Sequence, residues 1–184
     1  MKPSVLSIAG PHQFQDWLAL NDTVMGGSSQ ASCSITPEGL LLEGNLVERA
    51  GGFVSCRSPR FVPPLNLSAY SGLKLQVEGE GRILKLALAC YDNMLGLTEL
   101  IPAGLRWVAP LPTRASGTSI ITVPFSELGP TVQARPLKLP MRFNSSKITR
   151  LQILYSKFSV EGGTNLDFRP GPIRILLRSV HAVG

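Results

Sequence analysis

Prolines and glycines set the terms for this chain: fifteen of one and eighteen of the other are scattered through 184 residues without a period. Proline removes a backbone donor and glycine ends regular structure cheaply, so this punctuation favours many short strands joined by turns over long helices. The intervening pieces carry the alternation that half-buried strands need. In Leu73-Lys74-Leu75-Gln76-Val77-Glu78 the leucines and valine share one face, and the lysine, glutamine and glutamate share the other. Gly79-Glu80-Gly81 then suggests a tight reversal into Ile83–Ala89 as the antiparallel neighbour.

Other segments read the same way. Ala31–Ile35 and Leu40–Gly44 flank Pro37-Glu38-Gly39 as a hairpin, and Gly51-Gly52 leads into the strand Phe53–Arg57. A strand is expected around Trp107, flanked by loops holding Pro102, Pro110 and Pro112, and another in Thr118–Phe125. Residues 129–147 are broken by prolines and basic, which reads as a long surface loop, and Ile148–Phe158 and Ile173–Val180 complete the set. Residues 13–19 read as a helical turn or an initial strand. Nine or ten strands with no long helix predict an all-β, antiparallel β-sandwich spanning residues 1–184 as one domain.

Composition bounds the setting. An apolar fraction of 43% with 16% charged residues suits a folded globule. No apolar run approaches the about 18 residues of a membrane span, and the N-terminus is too weakly apolar for a signal peptide. The expectation is a soluble, unexported chain, cytoplasmic or in an organelle stroma or matrix. Cys33, Cys56 and Cys90 are odd in number and widely spaced, which reads as three reduced, mostly buried thiols. Residues 1–100 carry 7 Lys+Arg against 9 Asp+Glu, and residues 101–184 carry 11 against 3, so the halves are −2 and +8. A basic second half suits an anionic partner, although solvated strand faces would look alike.

Catalytic chemistry finds little support. Nucleophilic catalysis needs an activated nucleophile beside a base, and His12 and His181 lie outside any such motif. The acids Asp22, Glu43, Glu78, Glu80, Asp92 and Glu99 fall mostly at turns or on outward strand positions, which suits solvated acids better than a pair across a sugar. The glycine pair in Asn21-Asp22-Thr23-Val24-Met25-Gly26-Gly27-Ser28 has neither the lysine nor the helix of a phosphate loop. It reads as a backbone device, with Asp22 accepting nearby N–H groups and Met25 filling a gap in the core. Trp17, Tyr70, Tyr91, Trp107 and Tyr155 could line a sugar platform or pack inside. No catalytic residue, metal or cofactor is expected.

Trp17 followed by Asn21, Asp22, Met25, Gly26, Gly27 and Ser28 resembles the W…ND-x-VMGG-x-S signature of the thirty-kilodalton complex I intermediate-associated protein family. Gly51-Gly52-Phe53-Val54-Ser55 is similar to its GGF strand, Val77–Gly81 to its glycine hairpin, and Val123-Pro124-Phe125 to its V/I-P-F element. The chain departs from the family in lacking a tryptophan before that last element and in a longer, more polar Gly162–Pro172. The resemblance implies a galactose-binding-domain-like jelly roll and a non-enzymatic assembly factor for a membrane electron-transfer complex, respiratory complex I or photosystem II. Partners would be subunits or other assembly factors, including a short-chain-dehydrogenase-like protein, with peripheral placement at an inner or thylakoid membrane. Arg135, Lys138, Arg142, Lys147 and Arg150, in or beside the basic loop, are the candidate docking residues for such a partner or an anionic membrane. The alternatives are a carbohydrate-binding module and an RNA-binding module, the latter without aromatics interleaved among the cations.

Overall fold

A computed structural model of the protein describes residues 4–91 and 104–184. Pro102, Asp92 and Glu99 fall outside these residues. Two antiparallel sheets face each other. The first contains β1 (Val5–Ala9), β3 (Gln30–Thr36), β4 (Gly39–Leu46), β6 (Gly72–Glu78), β9 (Ser119–Pro124) and β13 (Gly171–Val183). Its order is β3-β4-β13-β6-β9, with β1 also paired to β13. The second contains β2 (Leu18–Ala19), β5 (Phe53–Arg57), β7 (Ile83–Cys90), β8 (Leu105–Pro112), β10 (Gly129–Val132), β11 (Arg135–Pro136) and β12 (Ile148–Ser156). Its order is β11-β10-β8-β7-β12-β5-β2.

Alternation places the core between the sheets. Leu73, Leu75 and Val77 of β6 and Ile173, Ile175 and Leu177 of β13 enter it from one side. Leu84, Leu86 and Leu88 of β7, Trp107 of β8, and Leu151, Ile153 and Tyr155 of β12 enter from the other. Each such side chain contributes about 1.5–3 kcal/mol by leaving water.

Three sequence expectations are corrected. β6 and β7 are not neighbours: β6 pairs with β13 and β9, and β7 pairs with β8 and β12. Both strands have an apolar face to bury, and crossing between sheets at residues 79–82 lets each help cover the core from its own side. Residues 129–147 are not all loop, since β10 and β11 form a hairpin whose turn residues Gln133 and Ala134 have φ of 47° and 63°. Pro110 and Pro112 lie within β8, in the part that β10 does not reach, where a missing N–H costs no ladder bond.

The cysteines correct a further expectation. Cys33 of β3 and Cys56 of β5 form a disulfide between the two sheets, with Cα atoms 6.3 Å apart. Wide sequence spacing argued against pairing, and the face-to-face packing of the sheets brings the two together. Cross-linking residues 23 apart restricts the unfolded chain, so Cys33→Ser should lower stability under oxidising conditions by about 2–3 kcal/mol. Urea midpoints with and without dithiothreitol should differ for the native chain and coincide for the variant. Coinciding midpoints for both would show that the bond does not form.

Candidate functional site

The signature loop folds around one carboxylate. Residues Asp22–Met25 make a single 3-10 turn, closed by Gly26 at φ 85°. Asp22 is wholly buried. It accepts hydrogen bonds from the Ser29 amide at 2.9 Å, the Ser29 hydroxyl at 2.6 Å, the Gly52 amide at 2.7 Å and the Phe53 amide at 3.3 Å. The Ser29 hydroxyl also accepts from the Val47 amide at 2.8 Å. The loop before β3, the end of β4 and the start of β5 are thereby tied to one side chain. Gly27 and Gly51 lie against it so closely that a Cβ at either would strike the carboxyl group. Burial alone would raise the Asp22 pKa, but the bonds from Ser29, Gly52 and Phe53 outweigh it and hold the carboxyl below its ordinary 3.8.

This arrangement ties three segments of the chain to one another. Trp17 is in the core, edge-on to Phe14 with ring centroids 5.4 Å apart. Asn21 donates its amide to the Ala31 carbonyl at 2.8 Å. Met25 does not fill the core: it is 67% exposed, beside the equally exposed Val24, because the 3-10 turn points both outward. Ser28 is exposed, and the serine that the loop uses is Ser29.

The outer faces of the two sheets differ in electrostatics. On the first, Glu78 meets Arg178 at 2.8 Å and Arg174 at 3.6 Å, and Arg178 reaches Glu38 at 3.1 Å. Hydrogen bonding to Arg178 comes first among the causes that hold the Glu78 carboxyl below its usual range. Glu78 and Glu38 thus answer Arg174 and Arg178.

On the second outer face, Arg57, Lys85, Arg106 and Arg150 have no carboxylate partner among the described residues. Strand register sets Arg57 of β5 opposite Gln152 of β12, Gln152 opposite Ala87 of β7, and Ala87 opposite Val108 of β8. One row along, Arg150 lies opposite Ala89, and Arg106 precedes the core residue Trp107 and so points outward from β8. Burial, then the charges of Arg57 and Arg150, lowers the pKa of the Arg106 guanidinium. Burial, then Arg57 and Arg60, does the same to Arg150. Arg60 stacks over the Tyr91 ring at 5.1 Å. In the opposite direction Lys85 faces Leu154 and Pro110, is only 6% exposed, and burial pushes its amine down to about 8. Arg106 and Arg150 spend one N–H each on the backbone carbonyls of Leu105 and Ser58, both at 3.0 Å.

Of the five cations singled out in the sequence, only Arg150 belongs to this cluster. Arg135 is on the short β11, and Lys138, Arg142 and Lys147 are exposed in the connection to β12. Arg57, Arg60 and Arg106 were missed because only strand pairing assembles them. The available signal was an arginine at an outward position between core residues, as in Leu105-Arg106-Trp107. The aromatic candidates for a sugar platform are mostly inside: Trp17, Trp107 and Tyr155 are buried, Tyr70 is half-buried against the core, and Tyr91 is exposed beneath Arg60. His12 and His181 make no hydrogen bond to a nucleophile among the described residues, and no cluster of His, Cys, Asp or Glu there could hold a metal.

Two facing antiparallel sheets with these connections define a jelly-roll β-sandwich of the kind built into carbohydrate-binding modules. The chain belongs to the complex I intermediate-associated protein 30 family, whose model matches residues 6–177. Its fold is similar to the family 11 carbohydrate-binding module of a cellulosomal cellulase of Clostridium thermocellum. The TM-score is 0.71 at 11% identity, covering 100% of this chain and 96% of that one. The same module in complex with a β-1,3-1,4-mixed-linked tetrasaccharide gives a TM-score of 0.69 at 12% identity, covering 98% and 95%. A domain within an agarase also matches, with a TM-score of 0.57 at 8% identity, over 99% of this chain and 25% of the enzyme. At these identities the likeness is one of fold. No curated protein sequence matches the chain significantly.

Proposed function

We propose that the protein is a non-enzymatic assembly factor that binds subunits or other assembly factors of a membrane electron-transfer complex during its biogenesis. The family directs the reading to complex I, with photosystem II as the counterpart in a photosynthetic setting and a short-chain-dehydrogenase-like protein as a candidate partner. One structural observation carries it: the first outer face pairs Glu78 with Arg174 and Arg178, while the second gathers Arg57, Arg106 and Arg150, which no carboxylate among the described residues answers. Desolvated cations of this kind lower stability and suit a surface completed by a partner. A carbohydrate-binding role is less well supported, because Trp17, Trp107 and Tyr155, which a sugar platform would expose, are in the core.

Affinity purification of the tagged chain from its native host should recover electron-transfer subunits or assembly factors. Recovery should fall at least about tenfold in Arg106→Glu/Arg150→Glu, because each charge reversal repels an acidic partner. A parallel Arg135→Glu/Lys138→Glu/Arg142→Glu variant tests whether the exposed connection docks separately, as it would at an anionic membrane. Recovery of no such protein by the native chain would sink the proposal.

A further inference from the structure

Several features constrain what the arginine face can accept. The cations do not converge on one point. Arg150 and Arg106 stand on strands separated by β7, so their backbones are about 10 Å apart, and Arg57 lies one strand beyond Arg150, about 5 Å across and about 7 Å along the sheet. A single small anion could meet one or two guanidinia, and several anionic groups at such intervals could meet all three. Alternate residues of an extended peptide repeat at about 7 Å and send their side chains to one face. The floor is aliphatic, with Ala87 and Ala89 on the central strand and Val108 and Leu154 beside them. Ala87 and Ala89 are themselves buried, and the half-buried Arg57, Arg106, Arg150 and Gln152 form the surface around them. Gln152, whose amide donates to the Ser55 hydroxyl at 2.9 Å, supplies a neutral polar group between Arg57 and Ala87.

We propose that this face is a binding site for an extended acidic peptide segment of a protein partner, with carboxylates on alternate residues paired to Arg57, Arg106 and Arg150. Guanidinia suit the role because their planar forks engage carboxylates two bonds at a time. Nucleic acid has phosphates at comparable intervals, but single strands also need aromatic surfaces for stacking. The floor offers alanine, valine and leucine, and Tyr91 is already covered by Arg60. The inference rests on the protein-binding role proposed above and specifies the partner's chemistry at the same face.

The test is fluorescence anisotropy on the full chain with a labelled eight-residue peptide of alternating Glu and Val. The competitors are its Gln-for-Glu counterpart, inorganic phosphate and a twelve-nucleotide oligouridine. The acidic peptide should bind saturably, and the Gln counterpart at least about tenfold more weakly. Arg57→Gln, Arg106→Gln and Arg150→Gln should each weaken binding about ten- to a hundredfold. Arg106→Lys should restore part of the loss, since it keeps the charge without the fork. The Arg57 side chain makes no hydrogen bond among the described residues, so Arg57→Gln tests the site even if the other variants fold poorly. The melting temperature of Arg106→Gln should hold or rise, because a desolvated charge is removed, whereas a purely structural arginine would lower it. Equal binding of the Gln peptide, tighter binding of oligouridine, full displacement by millimolar phosphate, or indifference to the arginine substitutions would overturn the proposal. Peptide binding without capture of electron-transfer proteins would sink only the assembly role. Capture that survives Arg57→Gln and Arg106→Gln would sink only this site.

Discussion

Asp22→Ala should destabilise the protein by about 4 kcal/mol. The substitution strands three backbone amides that this carboxylate satisfies and removes the shorter bond of the Ser29 hydroxyl, and each buried donor left alone costs about 1–3 kcal/mol. The cost exceeds that of an ordinary turn residue because the bonds join segments on either side of β4, rather than neighbours within one loop. Equilibrium unfolding in guanidinium chloride measures it, and a loss below about 1 kcal/mol would show that the four-bond network does not form. Because the folded pKa lies below the ordinary 3.8, Asp22 contributes stability above that value, and the contribution disappears as pH falls through the lower folded pKa. Asp22→Ala should therefore flatten the acid limb of the stability profile. Gly27→Ala should destabilise by crowding the same carboxyl, and much less so when Asp22 is already alanine.

Lys85→Met should act in the other direction, stabilising the protein at pH 7 by about 3 kcal/mol. Burial depresses the amine from 10.5 to about 8, and a shift of that size is worth about 3 kcal/mol between the protonation states. The folded chain gives up this proton first, so between pH 8 and 10.5 the unfolded chain holds more protons and stability climbs with pH. Below 8 the penalty of a charged, desolvated amine is present in full. Methionine keeps much of the stem without the charge, so its variant should gain at pH 7, lose the rise between 8 and 10, and converge on the native chain in alkali. Destabilisation at pH 7 would mean that the ammonium is held by a favourable partner.

Much of the sandwich was legible in single strands because burial of one face leaves a period of two. Phe53–Arg57 has the same bounds in sequence and structure, and Leu73–Val77 alternates as the core requires. Which strands pair was less legible. A short glycine-bearing link reads alike whether it turns within a sheet or crosses between sheets, and the segments 73–78 and 83–89 took the second course. The signature loop was visible as a motif, but its partners Gly52 and Phe53 lie 30 and 31 residues away, and Ser29 one place beyond the residue expected. The arginine face was the least visible. Arg57 and Arg150 are distant in the chain, and only the antiparallel register of β5, β12 and β7 brings them to adjoining rows.

The position of β13 bears on how the molecule is made. This final strand occupies the middle of its sheet, joined to β4 on one side and β6 on the other, and its end pairs with β1, where Val183 meets Val5. Earlier strands of that sheet therefore have no central partner until residues 171–183 have left the ribosome. Until then, β4 and β6 present unpaired edges that invite strand addition from other chains. Pairing across nearly the whole sequence also places the fold among the slower ones, with closure on a millisecond-to-second scale. By this topology the chain is exposed during its own synthesis, and protection of those edges by a holding chaperone would determine its yield.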